Sequence, residues 1–163
     1  MAARAHDRRQ RGFTLMELLV TVVIVAVLAS VALPMAELTY QRNKEQELRR
    51  VLLELREAID AYKQASDEGH ILRSAGASGF PPSLETLATG VPDAKSAAGS
   101  KLYFLRRIPR DPMAADAGVP AAQTWGKRSY ASGADDPREG DDVYDVYSTA
   151  PQAGLNGIPY REW

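Results

Sequence analysis

The sequence of 163 residues predicts an α+β protein whose first third differs from the rest. Three observations predict this class. A basic leader runs into an unbroken apolar segment, an amphipathic helical repeat follows, and the second half of the chain contains short strand-like stretches separated by turns. We therefore expect one long N-terminal helix, with a transmembrane half and an amphipathic half, that packs on a small antiparallel β-sheet.

The composition excludes several classes of protein. Lysine and arginine total 20 against 21 aspartate and glutamate residues, so the net charge of −1 provides no basic field for a nucleic acid. The absence of cysteine excludes disulfides, thiol nucleophiles and cysteine-ligated metals. The histidines are His6 and His70, and the sequence contains no G-x-S-x-G, H-E-x-x-H or phosphate-loop pattern. We expect neither enzymatic activity nor a nucleic-acid partner.

The apolar segment, residues 13–35, has the length and composition of a membrane-spanning helix. The 22 residues from Phe13 to Pro34 rise about 33 Å as an α-helix, which is close to the hydrocarbon thickness of a bilayer. Four arginines and one aspartate lie in the preceding residues 1–12. The positive-inside rule therefore predicts a cytoplasmic N-terminus and a C-terminal body across the membrane.

A secretory signal peptide is the alternative interpretation of this segment. Ser30-Val31-Ala32 provides the small residues of a cleavage site, although the apolar run exceeds the usual signal-peptide core of about 7 to 15 residues. Glu17 is the only ionisable residue in the run. A carboxylate costs about 2.5 to 3.5 kcal/mol at the bilayer centre, so either headgroup water or a positive partner from another chain has to offset the cost.

Residues 11–20, with the sequence RGFTLMELLV, combine four features that rarely occur together. A basic leader ends in Gly12, an aromatic residue follows, a glutamate stands four residues beyond it, and the apolar helix is unbroken. This combination resembles the class III signal of type IV pilins and type II secretion pseudopilins. The resemblance implies that a prepilin peptidase cleaves between Gly12 and Phe13 and methylates the new Phe13 amine. Glu17 of one subunit would then pair with the Phe13 ammonium group of another during assembly.

Pro34 ends the apolar run and lacks the N–H that would bond to the Ser30 carbonyl. We expect it to kink the helix, with helix termination as the alternative, and the resemblance to pilins implies a role in assembly. Beyond it, apolar residues recur at helical spacing as far as about Ser66. The predicted core positions are Leu48, Val51, Leu52, Leu55, Ile59 and Tyr62. Glu45 and Arg49 are predicted to form an ion pair on the polar face.

Turn-forming residues divide the rest of the chain into short elements. Gly69 is expected to end the long helix, and a short second helix is predicted with Ser83 as its N-cap and Gly90 as its stop. Leu84 and Leu87 of that helix should face the long one. Two strands, residues 125–132 and 143–148, are predicted to form an antiparallel hairpin around turn-forming residues 133–142.

Three stretches of the body are similar to the major, G-class pseudopilins of type II secretion: residues 80–84, residues 103–112 and residues 145–148. The resemblance implies a cleaved leader (1–12), a transmembrane and assembly helix (13–35) and a periplasmic body (36–163). It also implies a filament subunit of the inner membrane that drives protein export. The implied partners are copies of the chain, other pseudopilins and an inner-membrane secretion platform. A type IV pilus subunit and a monomeric, membrane-tethered periplasmic adaptor are the alternatives.

The C-terminal sequence departs from this family, whose members usually carry an Asp/Gly-rich calcium loop. The family's aspartate ligands are missing from residues 154–163. An acidic cluster lies just upstream, and oxygen ligands are what Ca²⁺ prefers. Its residues are Asp135, Asp136, Glu139, Asp141, Asp142 and Asp145. Because their spacing matches no EF-hand pattern, we predict a solvated hairpin tip without metal, and calcium binding remains the alternative.

Overall fold

A computed structural model describes residues 13–163, and of residues 31–34 it describes the backbone alone. The predicted leader, residues 1–12, therefore lies outside the described residues. Contacts divide the described chain between Tyr40 and Gln41 into two units, of which the second is Gln41–Trp163. The elements are helices α1 (Leu15–Asp67) and α2 (Leu84–Thr89), strands β1 (Val91–Pro92), β2 (Lys101–Leu102), β3 (Trp125–Arg128) and β4 (Asp145–Ser148), and 3-10 helices at Ala121–Thr124 and Tyr160–Glu162. This order confirms the predicted α+β class.

The first unit contains the apolar half of α1. The helix begins at Leu15 and continues past Pro34, so the alternative prediction of helix termination at that proline is wrong. An 18-residue window of α1 has a mean hydropathy of 2.7, and none of it is buried within the chain. By length and composition, α1 is therefore able to cross a membrane. The kink at Pro34 remains a prediction.

The second unit is organised around the amphipathic half of α1. The six predicted core positions of this helix are all buried, whereas Leu53, which points away from them, is 59% exposed. Their spacing of three and four residues places them on one face of a helix with 3.6 residues per turn. This face packs in one hydrophobic cluster with Leu84 and Leu87 of α2, Trp125 of β3 and Val146 of β4. The amphipathic repeat is therefore confirmed.

Helix α1 ends where the sequence predicted it. Gly69 adopts a φ of 78°, a conformation that glycine reaches without steric cost. Its N–H donates to the Ser66 carbonyl at 3.1 Å, and the His70 N–H donates to the Ala65 carbonyl at 2.9 Å. These bonds satisfy carbonyls of the last turn, as in glycine-terminated helices generally.

His70 fastens the end of α1 to the segment that follows β1. Its Nδ1 atom lies 2.8 Å from Asp93 Oδ1, and its carbonyl accepts the Ala94 N–H at 2.8 Å. The hydrogen bond with His70 is the largest cause that lowers the pKa of Asp93, and the Lys95 N–H adds to the effect. The ionised carboxylate is therefore the form that suits the folded state.

Helix α2 is positioned as predicted, although its cap differs from the expected one. Ser83 occupies the N-cap position, but its Oγ lies 3.2 Å from the Thr86 hydroxyl and caps no backbone N–H. Gly90 ends the helix with a φ of 76°, and its N–H donates to the Thr86 carbonyl. Leu84 and Leu87 are fully buried, as expected.

The structure confirms the antiparallel hairpin and shortens both of its strands. Strands β3 and β4 contain four residues each, with Trp125 opposite Ser148 and Arg128 opposite Asp145. The predicted first strand continued to residue 132. It ends earlier because the Ser129 N–H donates to the Arg138 carbonyl within the connecting loop.

Asp111 is a buried polar residue that the sequence patterns did not reveal. It is 1% exposed. Its carboxylate accepts the Ser148 hydroxyl at 2.6 Å and the Met113 N–H at 2.7 Å, and its own N–H donates to Thr124 Oγ1 at 3.1 Å. These bonds supply donors to the buried carboxylate, and the bond to Ser148 joins the proline-rich turn around Asp111 to β4.

Adjacent leucines on α1 provide a test of this packing. Leu52 is 2% exposed and Leu53 is 59% exposed. We expect Leu52→Ala to lower the free energy of unfolding by about 2 to 5 kcal/mol because it leaves a cavity in the core. Leu53→Ala should change it by less than about 0.5 kcal/mol. Chemical denaturation of the full chain in detergent micelles, followed by tryptophan fluorescence, measures both. Equal losses would contradict the burial of this face.

The contact between His70 and Asp93 predicts a pH dependence of stability. Because folding lowers the pKa of Asp93 from 3.8, the contact stabilises the fold above that pH and is lost as the pH falls through the folded-state pKa. We expect Asp93→Asn to lower the melting temperature at pH 5 and above. The difference from the unsubstituted protein should shrink as the pH falls below 3.8. Asp60→Asn, at an exposed position of α1, is the control, and a pH-independent difference for Asp93→Asn would contradict the assignment.

Candidate functional site

The candidate site is the start of α1, and Thr14 defines where the helix begins. The Glu17 N–H donates to Thr14 Oγ1 at 3.2 Å, and the Leu18 N–H donates to the Thr14 carbonyl at 3.1 Å. A threonine side chain that accepts the N–H three residues later is an N-cap. Phe13 therefore precedes the helix, and its side chain is 80% exposed.

The sequence predictions missed the role of Thr14. Thr14 and Glu17 have the Thr-x-x-Glu spacing of a capping box, in which the N-cap side chain bonds to the N–H of the third helical residue. The hydrogen bond from Glu17 N–H to Thr14 is this half of the motif. The spacing was a sufficient signal, and it identifies a residue that fixes the helix start directly beside the predicted cleavage site.

Hydroxyl groups in the apolar half of α1 bond to the helix itself. The Thr21 hydroxyl donates to the Leu18 carbonyl at 2.9 Å, and the Ser30 hydroxyl donates to the Val27 carbonyl at 2.7 Å. Polar groups in a lipid environment need such internal partners because hydrocarbon offers none. These two side chains therefore add little to the cost of placing the segment in a membrane.

Glu17 differs from these hydroxyls. Its carboxylate is exposed in the first turn of α1 and has no hydrogen-bond or ion-pair partner within residues 13–30 or elsewhere in the described chain. The positive end of the helix dipole favours an acidic side chain here by about 0.3 to 1 kcal/mol, which is less than the cost of a carboxylate in lipid. The site therefore contains an unmet negative charge.

The predicted site residues are described to different extents. Phe13 and Glu17 lie at the same end of α1, four positions apart, while Pro34 lies within the helix and its side chain is not described. Gly12, on the other side of the predicted cleavage point, is outside the described residues. Processing, methylation and the roles of Glu17 and Pro34 in assembly remain predictions.

The predicted ion pair between Glu45 and Arg49 is wrong. Glu45 is 7% exposed, and its Oε1 atom accepts the Tyr160 hydroxyl at 3.0 Å and the Leu155 N–H at 2.8 Å. The Arg49 guanidinium instead lies over the Trp163 ring, 4.4 Å from its centroid. The helical pattern placed these residues on a solvent face, but the C-terminal segment covers that face.

Burial also affects the phenol that bonds to Glu45. Desolvation is the largest cause that raises the pKa of Tyr160. The hydrogen bond from Gln41 opposes this effect, and the neighbouring Glu45 adds to it. The phenol therefore stays protonated and donates its hydrogen bond over a wide pH range.

Several carboxylates of the predicted acidic cluster are engaged by donors of the protein. Asp142 accepts the Tyr130 N–H at 2.8 Å and a short hydrogen bond from the Ser78 hydroxyl. Asp145 accepts the Arg56 Nε–H at 2.8 Å. Further contacts join Glu139 to Lys127 and Asp136 to Arg138. Each of these four acids therefore has a hydrogen-bond or ion-pair partner within the chain.

These acids do not fit the calcium loop that the family resemblance implies. A Ca²⁺ site needs six to eight oxygen ligands directed at one point. Within the described part of the chain, no three side chains of histidine, aspartate or glutamate come together in such a group. The oxygens of four of these acids lie instead against separate arginine, lysine, hydroxyl and backbone N–H donors. Calcium binding at this cluster stays an alternative to the predicted solvated hairpin tip.

Comparisons with known proteins identify the family. The prokaryotic N-terminal methylation motif matches residues 7–33. The type II secretion system core protein G of Klebsiella pneumoniae is 33% identical over 116 residues, which cover 67% of this chain and 73% of that protein. The core protein G of Dickeya chrysanthemi is 28% identical over 159 residues, which cover 93% of this chain and 97% of that protein. That of Escherichia coli (strain K12) is 30% identical over 115 residues, covering 69% and 72%. No solved structure gives a significant match.

This chain belongs to the type II secretion system core protein G family. The assignment confirms the resemblance to pilins and pseudopilins stated for residues 11–20 and the narrower resemblance to G-class pseudopilins stated for the body. The apolar half of α1 and the methylation motif fit anchoring of this pseudopilin in the inner membrane. The names of its core protein G relatives describe a component of a secretion system and no catalytic reaction.

Proposed function

We propose that this core protein G family member is a subunit of a type II secretion pseudopilus. A prepilin peptidase cleaves it between Gly12 and Phe13 and methylates the Phe13 amine. The apolar half of α1 holds it in the inner membrane, and the body lies in the periplasm. Copies of the chain, with other pseudopilins and an inner-membrane platform, assemble into a helical filament that drives protein export. The unmet charge of Glu17 beside Phe13 is the observation that carries the proposal.

Cleavage supplies the positive charge that Glu17 lacks. Removal of the leader leaves an ammonium group on Phe13, which methylation keeps positively charged. An ammonium group and a carboxylate neutralise each other when they meet away from water. Because Thr14 caps the helix, Phe13 lies outside the first turn, and its amine is not consumed by helix hydrogen bonds.

Apolar side chains are exposed on all sides of the first turns of α1, which supports a partner from another subunit. Leu15, Met16, Leu18 and Leu19 are each more than half exposed and cover a full turn of α1. A helix that is apolar on all sides is suited to lipid or to a bundle of similar helices. In a bundle, the Phe13 ammonium group of one subunit lies within reach of the Glu17 carboxylate of another, and this pairing sets the axial register.

The alternatives differ in what they require of Glu17. A monomeric membrane-tethered adaptor needs no partner for this carboxylate. A type IV pilus subunit needs the Phe13 ammonium group of another subunit, as a pseudopilin does. The core protein G relatives favour type II secretion over a pilus. Cleavage and filament yield together distinguish the proposed subunit from the adaptor.

Cleavage between Gly12 and Phe13 is tested by coexpression with a prepilin peptidase. We expect intact-mass spectrometry to find a chain that begins at Phe13 and carries one added methyl group. Replacing Gly12 with a bulkier residue should leave the leader attached. A chain that still begins at Met1, or one cleaved after Ala32, would contradict the proposed processing.

Substitution of Glu17 tests assembly separately from insertion. We expect Glu17→Ala to insert in the membrane and to be processed normally, because loss of a carboxylate eases transfer into lipid. Filament yield should fall severely, since each Phe13 ammonium group loses a buried partner at a cost of about 3 to 5 kcal/mol. Electron microscopy of sheared surface filaments measures the yield. Glu37→Ala, at another exposed acidic position of α1, is the matched control, and a normal yield from Glu17→Ala would refute the pairing.

A further inference from the structure

Residues 152–163, here termed the C-terminal strap, form a loop that is closed largely by its own hydrogen bonds. The Gly154 N–H donates to the Ile158 carbonyl at 2.9 Å, and the Tyr160 N–H donates to the Gln152 carbonyl at 3.2 Å. The Trp163 ring lies so close to Gly154 that a Cβ atom there would be 2.3 Å from the ring. The strap is therefore a small folded unit with its own internal packing.

We propose that Glu45 and Arg56 of α1 fasten the C-terminal strap without a metal ion, and that loss of the Glu45 carboxylate opens the strap while the rest of unit Gln41–Trp163 stays folded. This inference concerns a single subunit. It therefore holds whether or not subunits assemble as proposed above.

Glu45 forms the first attachment point. Its Oε1 atom accepts hydrogen bonds from the Tyr160 hydroxyl at 3.0 Å, the Leu155 N–H at 2.8 Å and Gln41 Nε2 at 3.1 Å. Gln41 Nε2 also lies 3.2 Å from the Tyr160 hydroxyl. Because Glu45 and Tyr160 are both more than nine-tenths buried, water does not replace these bonds easily. Removing the carboxylate leaves several donors unsatisfied at once.

Arg56 forms the second attachment point, three helical turns further along α1. Its Nη2 donates to the Trp163 carbonyl at 2.8 Å and to the Val146 carbonyl of β4 at 3.3 Å. Its Nε donates to Asp145 at 2.8 Å. One guanidinium thus joins the end of the strap to the hairpin. Between the two attachment points, Arg49 lies over the Trp163 ring.

The directions of the hydrogen bonds at Glu45 argue against a metal ion between Glu45 and the strap. A cation is held by oxygen acceptors, whereas the strap presents an N–H and an O–H donor to a carboxylate of the helix. Two acceptor side chains of the strap have partners within the strap. Asn156 Oδ1 accepts the Ile158 N–H at 3.1 Å, and Glu162 lies 3.7 Å from Arg161. The arrangement suits a buried anion supplied by α1.

Separate opening follows from how the strap is attached. Its main-chain hydrogen bonds close within the strap, and the side chains of Gln41, Glu45 and Arg56 exchange hydrogen bonds with it from α1. Strands β3 and β4 are joined instead by a ladder of four residue pairs and by the buried Trp125 and Val146. Most strap residues are exposed, although Tyr160 belongs to the buried hydrophobic cluster and Trp163 packs against it. Segments with fewer buried contacts than the core open at lower free energy.

Hydrogen–deuterium exchange of the full chain in detergent micelles tests the proposal. In Glu45→Ala, we expect peptides from residues 152–163 to exchange about tenfold faster or more, because a buried acceptor of several hydrogen bonds is lost. Peptides that contain β3 and β4 should exchange at their original rates. Glu54→Gln, at an exposed acid of the same helix that pairs with Arg50, is the matched control and should change neither region. In the unsubstituted protein, a chelator and added Ca²⁺ should leave the exchange of the strap unchanged.

Three results would overturn the proposal. The first is an unchanged exchange rate of the strap in Glu45→Ala. The second is faster exchange of the strap and of strands β3 and β4 together in that variant. The third is faster exchange of the strap when a chelator is added to the unsubstituted protein. If Glu45→Ala yields no folded protein, Tyr160→Phe replaces it, because this variant keeps the ring and removes one donor to Glu45. We expect a smaller acceleration confined to the strap, and unchanged exchange there would equally overturn the proposal.

Discussion

Helix α1 has to suit two different environments along one continuous backbone. From Leu15 to Ser30 every side chain is exposed, and the composition suits hydrocarbon. From Leu48 to Tyr62 the buried apolar residues lie on one face, and Leu53 is exposed on another. The first pattern suits an environment that is apolar on all sides of the helix. The second suits a helix that packs on the protein body with one face and meets water with the other. The other elements of the body are short, and α2, β3 and β4 contribute residues to the same hydrophobic cluster as the buried face of α1.

Polar groups of the chain follow the same division. In the apolar half, the hydroxyls of Thr21 and Ser30 bond to the helix backbone. In the body, Glu45 and Asp111 are buried and are satisfied by donors from distant parts of the chain. Burial of an acid is tolerable only when such donors are arranged around it. These two acids therefore determine where the C-terminal strap and the proline-rich turn attach.

The success of the sequence predictions depended on how far apart the interacting residues are. The core positions of α1, the glycine stops and the hairpin were predictable because their signals lie within a few neighbouring residues. Glu45 is expected on the polar face because Arg49 stands one helical turn further along, while two of its actual partners are 110 and 115 residues away. The early end of β3 has a similar cause, since Ser129 bonds within a loop whose path the residue pattern does not specify. Thr14 is different, because its capping signal was local and was overlooked.

Glu17 and Glu45 illustrate why the sequence alone assigns roles to acids poorly. Glu17 stands in an apolar run and Glu45 stands among Lys44, Gln46 and Glu47, yet Glu45 is the acid that the fold of the chain buries. Glu45 is met by an N–H and a hydroxyl from its own C-terminal strap, so its charge contributes to the fold of one subunit. Glu17 has no such partner in the described chain, and the helix dipole offsets only part of the cost of a carboxylate in lipid. Headgroup water or a second subunit must supply the rest. Only the second also uses the ammonium group that cleavage would create at Phe13, and for this reason we favour assembly as the role of this acid.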